Sequence, residues 1–136
     1  MGLRMIANAA PKLCCVALLL LVPMLANATQ QGTYSSLKYS DESGDLNGYE
    51  VEFIPTNRGL KAVVQVAEGE IEGVYVVDVT QSEDGQLKFP VPLATGKSGV
   101  FIGRVAGNGL RGAIQLPAGS QRLTLTRSIG YWNRQK

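Results

Sequence analysis

The chain has 136 residues, 45% of them hydrophobic, with 13 basic and 11 acidic residues, two cysteines and no histidine. Both cysteines, Cys14 and Cys15, lie near the N-terminus, so the rest of the chain lacks the usual zinc, copper and haem ligand sets and the groups for Ser-His-Asp or Cys-His catalysis. No Gly-rich phosphate loop of the Walker or dinucleotide type occurs.

Residues 1–28 read as a secretory signal peptide. Arg4 and Lys12 supply a positive start, Leu13 to Val22 an apolar run, and Ala26-Asn27-Ala28 a small-x-small cleavage site after Pro23. An uncleaved anchor is the alternative, but the run is short for the ~20 residues of a membrane span. A bacterial periplasmic or extracellular location is expected, with no stable membrane span after cleavage. Residues 29–136 then form a single β domain, long enough for a core of its own and free of disulfides.

Residues 32–40 are a first expected strand, and Asp41-Glu42-Ser43-Gly44 a turn. Calcium binding by Asp41, Glu42 and Asp45 is a weaker reading of that turn than a solvated loop, because no EF-hand spacing is present. From Gly48 to Ile54, Tyr49, Val51 and Phe53 alternate with Glu50 and Glu52. After a turn at residues 55–59, with Asn57 and Gly59 suited to positive φ, comes the most regular stretch, Leu60 to Val79. It reads as a hairpin turning at Glu68-Gly69-Glu70, with apolar rows on both faces. Asp84-Gly85 marks the next turn, and Leu87, Phe89 and Val91 alternate again. Pro90 and Pro92 mark that strand as short or as an edge.

Strands are expected at residues 100–105, at 110–116 after Gly107-Asn108-Gly109, and around Leu123 and Leu125. The tail ends in Tyr131-Trp132, and no helical period appears after residue 28. About eight short strands joined by tight turns imply an all-β antiparallel meander. A small closed or nearly closed barrel is expected, with a β-sandwich as the alternative.

Gly32-Thr33-Tyr34 in the first strand and Arg127 at the end of the last resemble the calycin pattern of lipocalins and avidins. Those families open with Gly-x-Trp and pack an arginine or lysine across that ring. The resemblance implies a barrel with its first and last strands adjacent, and no ligand site is carried over from it. Arg127 falls in phase with Leu123 and Leu125; packing across Tyr34 and snorkelling from a strand end are both open readings.

The charges are segregated. All 11 acidic residues lie between Asp41 and Asp84, and after Gly85 the chain carries basic residues only. Either the halves pair across strands, or a basic wall built from Lys97, Arg104, Arg111 and Arg122 faces an anionic partner. Tyr131 and Trp132 are read as capping a barrel mouth or as an exposed contact. The function expected is that of a non-enzymatic binding protein, for an anionic cell-envelope component or an enzyme that it inhibits. No cofactor, metal or nucleic acid is expected. A self-associating homodimer, through Val63, Val74 and Val76, is the alternative. Less expected is a carboxylate glycan hydrolase using two of Glu50, Glu52, Glu68, Glu70 and Glu72.

Overall fold

The computed structural model describes residues 30–93 and 96–135; the expected signal peptide lies outside the described residues. Nine strands follow in order: β1 (Gly32–Ser35), β2 (Lys38–Tyr39), β3 (Leu46–Thr56), β4 (Gly59–Asp78), β5 (Thr80–Gln81), β6 (Leu87–Pro92), β7 (Ser98–Ala106), β8 (Gly109–Leu116) and β9 (Gly119–Ser128). All ladders among the described residues are antiparallel, and the strands form one sheet curled into a nearly closed barrel. Its path runs β4-β3-β1-β9-β8-β7-β6-β5, with β2 also paired to β3, so the first and last strands, β1 and β9, are neighbours, as a meander that closes requires.

The first expected strand is broken in two. Opposite the break, Gly48 takes φ +121, and a Cβ there would lie 2.5 Å from the carbonyl oxygen of Ser36. Only glycine permits so close an approach. The chain therefore steps aside at Ser36-Leu37, and Leu37 is buried outside the main core.

β4 runs uninterrupted for 20 residues, which fully extended would reach ~65 Å. Its ends nevertheless meet. The N–H of Val79 donates to the carbonyl of Leu60 at 3.0 Å, and Lys61 pairs with Asp78. The element must double back, and it does so near Gly69, which has φ +92 and ends the ladder to β3. The Gly69 N–H is taken up by the Asn47 side chain at 3.1 Å. The reversal falls where the hairpin was expected. At the preceding turn only Gly59 takes positive φ; Asn57 does not.

Alternation places Val51, Phe53, Ala62, Val64 and Val66 inside, with Leu87, Phe89, Val91, Phe101, Leu110, Ile114, Leu123 and Leu125. Aromatic rings cross this interior from Tyr34 through Phe53 and Phe89 to Phe101, with centroids 4.8–5.8 Å apart. Gly103 and Gly112 face each other across β7 and β8 beside the Phe101 ring. A Cβ on Gly103 would come within 2.4 Å of that ring, so both positions must lack one.

One seam is not laced by a ladder, and β6 explains why. The Ser82 N–H donates to the Gln86 carbonyl, so by alternation residues 88, 90 and 92 turn their main-chain groups toward β4 and β5. Lys88 pairs there with Thr80, but Pro90 and Pro92 have no N–H to donate. On its other side β6 pairs with β7 along all six residues. The prolines thus make the strand an edge on one side only.

Candidate functional site

Three groups of side chains were expected to carry function, and the barrel separates them. Arg104, Arg111 and Arg122 come together on the outer face of β7, β8 and β9. Arg104 stands directly opposite Arg111, and Arg122 opposite Ala113, two residues along from Arg111. Arg111 and Arg122, with Gly112 and Thr124, line a shallow surface depression of roughly 510 Å³. Arg104 reaches Asp84 at 3.3 Å. The Ser82 hydroxyl, the Gln86 N–H and then Arg104 hold the Asp84 carboxyl below its usual range. Arg111 and Arg122 have no ion pair among the described residues. Lys97 does not join this group: it precedes β7, seven residues and ~23 Å of extended chain from Arg104.

Arg127 sits apart, on the β1 side of β9. It lies in phase with the inward row of Leu123 and Leu125 but is exposed at the row's end, and its guanidinium lies 5.9 Å from the centroid of the Tyr34 ring, directly across the ladder. It donates to the carbonyl of Gln31. Gly32 leaves the room: a Cβ there would be 3.1 Å from the Arg127 guanidinium. Burial pushes the Tyr34 hydroxyl pKa up, and Arg127 partly opposes that.

Tyr131 and Trp132 do not cap a barrel mouth. They pack on the outer face of β1, β3 and β4, where Ser35, Glu50 and Gln65 form one cross-strand row. The Tyr131 N–H donates to Glu50 at 2.7 Å, the Trp132 indole N–H to Gln65 at 3.1 Å, and Arg134 to the Ser35 hydroxyl at 3.4 Å. Residues Trp132–Gln135 form a 3₁₀ turn, which no sequence period announced. Tyr131 thereby closes a second small cluster with Leu37, Leu46 and Ala67. Glu50, expected on a wet outer face, is only 5% exposed because the tail covers it.

Beside this tail lies a groove of roughly 400 Å³, lined by Tyr39, Leu46, Ile71, Tyr131, Trp132 and Glu70, with Gly44 and Gly69. Sequence reasoning singled out Tyr131 and Trp132 but missed Tyr39 and Ile71, whose approach depends on the β4 reversal. Around it lie the acidic strands β3 and β4, while the arginine group occupies β7 to β9. A scan against protein-family models, a search of curated proteins and a search of solved structures each returned no match.

Proposed function

We propose that the protein is an exported, non-enzymatic binding module whose wall of Arg104, Arg111 and Arg122 engages an anionic partner, an acidic component of the cell envelope. One observation carries this reading: Arg104 and Arg111 are directly opposed on one face of the sheet, with Arg122 beside them and one ion pair to the three among the described residues, from Asp84 to Arg104. Like charges opposed across a ladder destabilise it. An anion bound against Arg111 relieves that repulsion, and guanidinium forks suit bidentate oxyanion contacts. Export is supported by the character of residues 1–28. The placement of Arg127 over Tyr34 supports a calycin-like reading of the barrel.

The test is retention on an anionic matrix at low salt, with Arg104→Gln, Arg111→Gln and Arg122→Gln combined as the comparison. The native protein is expected to be retained and then released as ionic strength rises, since screening shortens to ~8 Å at physiological salt. Equal retention of a folded triple variant would refute the reading.

A second reading is self-association through β4. Val74 and Val76 are 60% and 70% exposed, adjacent on one outward row, which favours it. Light scattering that shows a monomer at high concentration would remove it.

A further inference from the structure

We infer that the groove beside the C-terminal tail is a binding site for a small organic cation, with a quaternary ammonium head as the simplest representative. Two of its walls are aromatic and open: Tyr39 is 48% exposed and Trp132 53%. Isolated exposed aromatics are ordinary, but here two converge on one concavity of roughly 400 Å³, within the range of small-ligand sites. The indole is held by its bond to Gln65, and the neighbouring Tyr131 is anchored through its main chain to Glu50. The aromatic wall is therefore in place before any ligand arrives, and binding need not order it.

Charge decides which ligand fits. Glu70 lines the groove, and the Asp45 carboxylate lies beside its edge, 4.0 Å from where a Cβ on the lining residue Gly69 would stand. Neither carboxylate has an ion-pair partner among the described residues. Asp41 and Glu42 lie in the turn beside Tyr39, and Glu68 and Glu72 flank Glu70 along β4. The opposing cations are Lys38 on β2 and Arg134 on the tail. Arg134 is already engaged, 5.7 Å from the Tyr131 ring centroid and bonded to Ser35. The field in the groove is that of its carboxylates. Aromatic faces attract a cation through their quadrupole, and a weakly hydrated ammonium loses little on leaving water. An anion would meet Glu70, and a neutral apolar molecule would gain nothing from either carboxylate. The site is independent of the arginine wall, which lies on other strands.

Trp132 is the sole tryptophan, so its emission reports the groove alone. The experiment titrates the purified protein with choline and, separately, with its neutral carbon isostere dimethylbutanol. A saturable change with choline is expected, with the isostere at least ~10-fold weaker. The variant Glu70→Gln with Asp45→Asn should weaken choline binding while leaving the isostere unaffected. Its circular dichroism should match the native protein, because Glu70 is exposed, Asp45 is only half-buried, and neither forms an ion pair among the described residues. Equal affinity for choline and isostere would overturn the proposal in favour of a merely apolar groove. Absence of any saturable change, or a response to neutral oligosaccharide in preference to choline, would overturn it too. None of these results bears on retention by an anionic matrix, so the two readings fail separately.

Discussion

Glu50 accepts the main-chain N–H of Tyr131 at 2.7 Å, joining residues 81 positions apart in the chain. A carboxylate in mid-strand thus serves as the anchor of the C-terminal tail. The bond holds the lid of the second hydrophobic cluster and the aromatic wall of the groove at once.

Replacing Glu50 by alanine leaves the Tyr131 N–H without that acceptor in a buried setting. A loss of about 1–3 kcal/mol is expected, the cost of an unsatisfied buried donor. Glu50→Gln keeps an acceptor oxygen and should lose less. Urea unfolding followed by Trp132 emission checks both, and the alanine variant should shift that emission to the red before global unfolding. An unchanged spectrum and midpoint would show that the tail is held by its apolar contacts alone.

Gly112→Ala should destabilise the barrel by about 1–3 kcal/mol, as forced overpacking does. Its Cβ would fall 2.3 Å from the carbonyl oxygen of Ile102 and 2.8 Å from the Phe101 ring. The backbone clash cannot be relieved by a rotamer change, so Phe101→Leu should rescue only part of the loss in thermal melting. Full rescue would place the strain in the ring alone.

Tyr34 gives an alkaline limit. Its pKa is raised above 10.0 by burial, so in the window above the unfolded value the native state holds a proton that the unfolded chain has lost. Stability from this group is complete below pH 10.0 and falls as pH rises through the folded value. Tyr34→Phe removes that dependence. Unfolding midpoints measured at pH 8 and above pH 10 should converge less for the native protein than for the variant; identical slopes would contradict the assignment.

Pro90→Val supplies an N–H aimed at the seam. In the register set by Thr80 opposite Lys88, position 90 faces Asp78. The new bond is worth about 0.5–1.5 kcal/mol, while losing proline loosens the unfolded chain by about 0.4–1 kcal/mol. Global stability should therefore barely move. Hydrogen exchange is the discriminating measurement: the new amide at position 90 should be protected. Fast exchange there would mean that the seam is held open by packing, with the missing donors incidental.

The sequence alone determined the strands. Period-two rows such as Leu87, Phe89 and Val91 bury one face whatever the neighbours are, and turn glycines such as Gly59, Gly85 and Gly107 adopt the positive φ that the turns need. It also determined the charge segregation, since every acid precedes β6 while β6 to β9 carry basic residues only, and a meander keeps sequence neighbours adjacent. Tertiary structure decided the rest. Whether Glu50 is wet depends on a tail 81 residues away, and no local pattern records that contact. Lys97 and Arg104 looked equivalent along the chain, but strand direction puts them at opposite ends of β7. Tyr39, Ile71 and Trp132 meet only because β2, the reversal of β4 and the 3₁₀ turn converge on one face. Side-chain periodicity reports which way a residue points, and only the folded register reports what it points at.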